Sequence, residues 1–277
     1  MIPKLSIVIA NYNYGRFLEE AIQSVITQDG FDECELIVVD GGSTDGSVEI
    51  IKKYVGKITW WCSEKDNGQS DAFNKGFAHA RGEFLTWLNA DDIFTRGALH
   101  AILNLMARHP HKEWFTGSSL YTDENLIVTK CFCAHRFSIL RAKFDTIYVG
   151  GPSSFFTKRM LDAVGGIDEE LHYCMDNDLW HKFYQICGAR YVRTRKNIFA
   201  YRQHEASKMS GADSHTTERA IENRKRANRE MQMVVLRYNR TSHFMRKVVR
   251  AMSSSPIDFI IAKFREKKWR GLHATEI

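Results

Sequence analysis

SIVIANYNYGRFLEEAIQSVITQ (residues 6–28) is followed, after a short turn, by ELIVVDGGSTDGS (35–47). Ser6-Ile7-Val8-Ile9 is a β-branched run that reads as a strand. Phe17, Leu18, Ala21, Ile22 and Val25 then recur at the spacing of an amphipathic helix. Leu36-Ile37-Val38-Val39 is a second strand, ending in the turn-rich Asp40-Gly41-Gly42-Ser43-Thr44-Asp45-Gly46. Outward from there the alternation continues. Val48, Ile51 and Tyr54 mark a short helix, and 58–62 a third strand. Ala72, Phe73, Gly76, Phe77 and Ala80 mark a further helix, and 84–88 a fourth strand. This order predicts an α/β fold, a mainly parallel central sheet flanked by helices. Ligands of such sheets bind beyond the carboxyl ends of the strands.

Those ends are polar in every case. Ala10-Asn11-Tyr12-Asn13 follows the first strand, Asp40 and its Gly/Ser/Thr loop the second, Glu64-Lys65-Asp66-Asn67-Gly68 the third and Asn89-Ala90-Asp91-Asp92 the fourth. Polar loops are ordinary one at a time; four in succession on one rim point to a ligand. No GxGxxG follows the first strand and no GxxxxGK[ST] occurs, which removes the main support for dehydrogenase and P-loop readings. Asp40 can bind a base N–H or ribose hydroxyl, or can belong to a turn in which Ser43 or Thr44 caps a helix. Adjacent carboxylates leaving the apolar strand 84–88 are costly unless solvated, paired or metal-bound. Asp91 and Asp92 suit a hard divalent cation with phosphate oxygens. Alternatively, Asp92 caps a helix beginning near Phe94.

Composition bounds the rest. The 277 residues are 44% apolar and 26% charged, ordinary for a globular chain. The net charge of +6 divides unevenly: residues 219–277 hold 15 Lys/Arg against 5 Asp/Glu, whereas 1–218 hold 24 against 28. A mildly acidic body with a basic tail points away from nucleic acid and toward an anionic surface, a partner or a phosphate-bearing acceptor. No apolar run approaches the ~18–20 residues of a membrane span, and residues 1–10 are too short a run for a secretory signal. Cys34, Cys62, Cys131, Cys133, Cys174 and Cys187 are scattered, which suggests neither a zinc site nor a disulfide framework. A cytoplasmic chain is expected.

Further along, Gly150-Gly151-Pro152-Ser153 reads as a turn into a strand at 154–156, and Gly165-Gly166 ends a short helix. Met175-Asp176-Asn177-Asp178 opens another helix, with Leu179, Phe183 and Ile186 toward a core. Asp176 and Asp178 lie in its first turn, where a helix favours carboxylates. They are capping residues, or one is a general base. His204 follows a strand at 198–201 and is either structural or a further metal ligand.

Together these pieces resemble the family 2 glycosyltransferases of GT-A fold, in their bacterial, inverting form. The resemblance rests on 6–28, 35–47, EKDNGQSDAFNKGFAHARGEFLTWLNADD (64–92), GGPSSFF (150–156), GGIDEELHYCMDNDLWHKF (165–183) and YRQHEASK (201–208). It implies a nucleotide-sugar half over 1–92 and an acceptor half over 93–218. It implies a UDP-sugar donor, Mn²⁺ or Mg²⁺, and a glycan or lipid-linked glycan acceptor. Ala10, Asn11, Tyr12, Asp40 and Gly42 would hold the nucleoside, with Asp71, Asn74 and Asn89 among the donor-binding residues. Asp91 would touch ribose or sugar, Asp92 and His204 would hold the metal, and Asp176 would be the base, with Asp178 its alternative. Two positions depart from the family pattern: Asn89 replaces the first DxD acid, and Met175 stands where many members have Glu. A nucleotidylyltransferase would carry a basic phosphate-gripping loop where Asn11-Tyr12-Asn13-Tyr14-Gly15-Arg16 stands, and a non-catalytic binding protein need not keep the carboxylates and His204.

The tail, 219–277, lies beyond the resemblance. Residues 218–240 read as a long charged helix with Met231, Val234, Val235 and Tyr238 on one face. Phe244, Met245, Val248 and Val249 form a second apolar stripe, and Ile257, Ile260, Ile261 and Phe264 a third, each beside Lys and Arg. Two readings are open: interfacial helices on the inner face of the plasma membrane, or helices packed on the body or on a second subunit in a homo-oligomer. Phe132, His135, Phe137 and Tyr148 line either an acceptor cleft or the core.

Overall fold

The computed structural model describes residues 2–207, 218–238, 243–253 and 256–277. Lys208 of the last motif and the predicted helix end at 239–240 lie outside these residues. The first half alternates as the sequence predicts: β1 (Leu5–Asn11), α1 (Gly15–Ile26), β2 (Cys34–Asp40), α2 (Ser47–Lys53), β3 (Trp60–Ser63), α3 (Gln69–His79) and β4 (Phe84–Asn89). Then come β5 (Ile93–Phe94), α4 (Ala98–Arg108), β6 (Trp114–Thr122), β7 (Val128–Phe132), α5 (Ile139–Phe144), β8 (Ser154–Thr157), α6 (Lys158–Ala163), α7 (Met175–Gln185) and β9 (Val192–Arg202). The tail forms α8 (Glu218–Tyr238), α9 (His243–Ser253) and α10 (Pro256–Trp269).

The strands make one sheet in the order β3-β2-β1-β4-β8-β6-β9-β5, with β7 on β6. The β3-β2-β1-β4 half is parallel. β8 enters antiparallel between β4 and β6, β9 runs parallel to β6, β5 pairs antiparallel with β9, and β7 antiparallel with β6. The second half is therefore mixed. Alternation along the strands buries both faces: Val8, Val39, Leu85 and Trp87 join one core layer, and Ile7, Ile9, Val38 and Leu88 the other. This curled sheet between helices is the GT-A fold.

Register sets the functional rim. β1 and β2 pair Asn11 with Asp40, β2 and β3 pair Asp40 with Ser63, and β1 and β4 pair Ala10 with Asn89. Residues far apart in sequence thus meet along one edge. Gly76 lets α3 lie close on the sheet, since a Cβ there would stand 2.3 Å from Val8 Cγ1.

Two local expectations are corrected. No helix begins near Phe94, because Ile93 and Phe94 pair with Ala200 and Phe199 as β5 and the helix starts at Ala98. Asp92 therefore caps no helix there. Ile186, expected toward the core, is the C-cap of α7 and stands exposed.

Candidate active site

At the β1–β2 rim, Asp40 is fully buried and accepts five hydrogen bonds. Oδ1 accepts from Asn11 Nδ2 at 2.6 Å and Ser43 Oγ at 2.5 Å. Oδ2 accepts from Ser63 Oγ at 2.6 Å and from the amides of Ser43 and Gly42 at 2.9 and 3.2 Å. Burial alone raises its carboxyl, but the bonds from Ser43, Ser63 and Asn11 outweigh burial and hold it below its ordinary range. Asp40 thereby fixes the Gly/Ser/Thr loop. Gly42 adopts φ +82°, and a Cβ on Gly41 would stand 2.6 Å from Asp66 Oδ2, so backbone and the next loop approach closely. Ala10 is half-buried, Asn11 buried and Tyr12 exposed, presenting a free aromatic face at the rim.

At the β4 end the side chains form a chain of contacts. Gln69 Nε2 donates to Asn89 Oδ1 at 2.5 Å, and Asn89 Nδ2 donates to Asp92 Oδ2 at 2.8 Å. Asp92 Oδ1 accepts the Arg202 amide at 3.0 Å. Burial, then the neighbouring Asp91 charge, pushes the Asp92 carboxyl well above its ordinary value. His204 meets Asp91. Its Nε2 stands 3.1 Å from Asp91 Oδ2, across 113 residues of sequence.

This geometry bears on a metal. Among the described residues no three His, Cys, Asp or Glu side chains form a ready cage. The Asp91–His204 pair nevertheless fits a small divalent cation, because neighbouring ligands at ~2.0–2.1 Å from such an ion are ~3 Å apart. Its other ligands would come from substrate phosphate and water. Arg16 Nη2 lies 3.2 Å from His204 Nδ1. A guanidinium only donates, so this contact places the proton on Nε2; ligation through Nε2 requires that proton to leave and Arg16 to turn aside.

α7 separates the two candidate bases by its own periodicity. Asp176 and Trp180 are an i, i+4 pair on one face. Trp180 is wholly buried and stacks on Trp87 at 5.6 Å with an 8° interplanar angle, which ties that face to β4. Asp176 lies on the wall of a cavity of about 480 Å³, shared with Asn89, Asp92, Tyr148 and Tyr201. Burial pushes its carboxyl up to about 6, against the hydrogen bond it accepts from the Asn177 amide at 2.7 Å. Asp178 points elsewhere and is wholly buried. It accepts from Arg237 Nη1 at 2.7 Å and Tyr238 Oη at 2.8 Å, with Lys182 Nζ 3.0 Å away.

Two other expected donor-binding residues also bond within the protein. Asn74 Nδ2 donates to Ile167 O and Glu169 Oε1, and its Oδ1 accepts the Ile167 amide, all at 2.9 Å. Asp71 accepts the Asn67 amide at 2.8 Å. Sequence reasoning missed Gln69, Arg16 and the particular tail residues that reach the cavity, though it left open that the tail helices pack on the body. Glu230 of α8 accepts the amides of His172, Tyr173 and Cys174, the turn that leads into α7. Met231 of α8 and Arg250 of α9 line the cavity. Phe132 and Tyr148 also line it, whereas Phe137 packs against Trp114 and Tyr191, and His135 against Phe132.

Comparison with known proteins follows this geometry. The model for "Glycosyl transferase family 2" matches residues 6–144, half of the chain. The chain belongs to glycosyltransferase family 2. An uncharacterized glycosyltransferase of Rickettsia typhi is 26% identical over 208 residues, covering 66% of this chain and 59% of the relative. One of Nostoc sp. is 39% identical over 105 residues, 37% of this chain and 32% of the relative. The chain thus spans about three-fifths of the Rickettsia protein and one-third of the Nostoc protein. Among solved structures, S. aureus TarS 1–349 in complex with UDP aligns with a TM-score of 0.62 at 18% identity, over 92% of this chain and 73% of that one. The mannosyltransferase PcManGT of Pyrobaculum calidifontis, in complex with GDP-Man and Mn²⁺, aligns with a TM-score of 0.60 at 16% identity, over 99% and 85%. These likenesses show the shared fold. The family match ends before α7, so the reading of Asp176 rests on the geometry above.

Proposed function

We propose that the chain moves a sugar from a nucleotide-sugar, a UDP-sugar first among candidates, to a hydroxyl of a glycan or lipid-linked glycan, with inversion at the anomeric carbon. The observation that carries this reading is Asp176: a carboxylate held near 6 on a cavity wall. A base of that pKa is ionised at neutral pH yet basic enough to take a hydroxyl proton.

Residues 1–92 are read as the donor half. Asn11, Tyr12 and the loop that Asp40 shapes receive the nucleoside, with Ala10 and Gly42 leaving room for it. Asn89, held by Gln69 and Asp92, presents its amide toward ribose or sugar. The metal role first assigned to Asp92 is better supported for Asp91, because His204 meets Asp91 while both Asp92 oxygens accept protein donors. A divalent cation bound there supplies charge neutralisation for the departing diphosphate. Residues 93–218 are read as the acceptor half. Asp176 takes the acceptor's proton as its oxygen attacks the anomeric carbon from the face opposite the leaving group. The PcManGT complex with GDP-Man and Mn²⁺ and the TarS complex with UDP-GlcNAc are compatible with a nucleotide-sugar and a divalent cation at this fold's rim.

The test is Asp176→Asn. It should abolish acceptor-dependent transfer while donor affinity, measured by calorimetry, stays within a few-fold. Retained turnover would remove Asp176 from the role of base.

A further inference from the structure

α10 is amphipathic the wrong way round. Its two acids face the body: Asp258 is fully buried between Arg193 at 2.9 Å and Arg195 at 3.0 Å, and Glu266 is nearly buried. Trp269 packs on the body, but four other large apolar side chains face out. Ile257, Phe259, Ile260 and Phe264 are 63–69% exposed, although burying such side chains is favourable. The same outward arc carries Lys263, Lys267 and Lys268, all exposed; Lys263 leans back to Glu266 at 3.3 Å, whereas Lys267 and Lys268 stand apart from it. α9 repeats the pattern. Phe244, Met245 and Met252 are exposed beside Lys247, and the helix contains no acid. α5, on which α9 packs, adds partly exposed Ile139, Leu140 and Phe144.

We propose that the outward faces of α9 and α10 dock this protein on an anionic lipid bilayer. Large apolar side chains interspersed with lysines, and every acid turned inward, match what an interfacial helix needs: apolar groups for the acyl boundary and cations for the headgroups. A second copy of the chain is a poorer occupant, because two such faces would bring lysines against lysines with no carboxylate between them. No described helix is long and apolar enough to cross a membrane, so docking is in-plane. Arg250 lies on α9 and also lines the cavity, so the docking element and the cavity share a wall. Docking stands without the sugar-transfer reading; only its use in presenting a lipid-anchored acceptor rests on that reading.

The experiment is vesicle flotation of the full chain with phosphatidylcholine alone and with phosphatidylcholine containing phosphatidylglycerol, at low and high salt. Binding is expected to the anionic vesicles only, and to fall with salt. K267Q/K268Q should weaken it roughly twenty-five-fold, about fivefold per lysine. I260S/F264S, at exposed positions that the fold does not use, should abolish it while circular dichroism and donor turnover stay unchanged. Floating equally with neutral vesicles, floating with neither, or forming a dimer that the I260S/F264S change dissolves would each overturn the proposal. Anionic binding without donor turnover would leave docking intact and count against the transfer reading alone.

Discussion

Asp176→Asn should make the protein more stable, and only above a certain pH. Asp176 sits on the cavity wall with burial raising its carboxyl from 3.8 to about 6. Between these values the folded chain holds a proton that the unfolded chain has released. Stability therefore falls as pH rises from about 4 through about 6, and the ionised group destabilises the fold fully above that. Holding a carboxyl near 6 rather than 3.8 corresponds to about 3 kcal/mol; discounting for the solvent that reaches the cavity leaves about 2 kcal/mol. The amide keeps an oxygen for the Asn177 N–H, now at 2.7 Å, so little else is lost. For a chain of this size the gain is about 3–4 °C in Tm. Thermal melts of wild type and variant at pH 8 and pH 4.5 read it directly. The variant should melt higher at pH 8, and the difference should shrink to about a third at pH 4.5 and vanish below about pH 4. A variant that is less stable at pH 8, or a difference independent of pH, would refute the claim that this carboxylate is desolvated. In wild type the transfer rate should rise with pH through about 6 and then level, because the base must be ionised.

Three further outcomes follow from the same contacts. Asp178→Ala leaves Lys182 and Arg237 without their buried partner, so denaturant titration should show a loss of about 3 kcal/mol, while kcat per folded molecule changes by less than threefold; a loss of turnover with stability intact would instead make Asp178 the base. Glu230→Ala strips the acceptor from three backbone amides before α7, costing about 2–3 kcal/mol and lowering kcat with donor KM unchanged; equal stability in melts would show that the turn holds itself. Asp91→Ala should remove the Mn²⁺ dependence of donor binding in calorimetry, whereas an unaltered dependence returns the metal to Asp92.

The alternating first half of the fold was legible because its signals are local. Strand–helix alternation fixes which residues end each strand, and the rule that ligands bind at those ends does the rest; Asn11, Asp40 and Asn89 meet through strand register alone. What was not legible depends on long-range packing. Asp176 and Asp178 share the same first helical turn, and only Trp180 against Trp87 on one side and Arg237 with Tyr238 on the other tell them apart. Whether His204 meets Asp91 or Asp92 depends on how β9 pairs with β5, just after the Asp91-Asp92 turn, which no motif spacing encodes. The apolar stripes of the tail were visible, but α8 buries Val234 and Val235 while α9 and α10 turn Phe244, Ile260 and Phe264 outward. The roles of Glu230 and Arg250 arise from that docking, and nothing in their own sequence neighbourhood announces them.

The most direct test is nucleoside diphosphate release by the full chain from UDP-, GDP- and dTDP-sugars in Mn²⁺, with and without glycan acceptor extracts. The account predicts that one donor class is consumed, that acceptor accelerates its consumption, and that the new glycosidic bond has inverted configuration. Absence of binding and turnover with every donor, or a product with retained configuration, would contradict it.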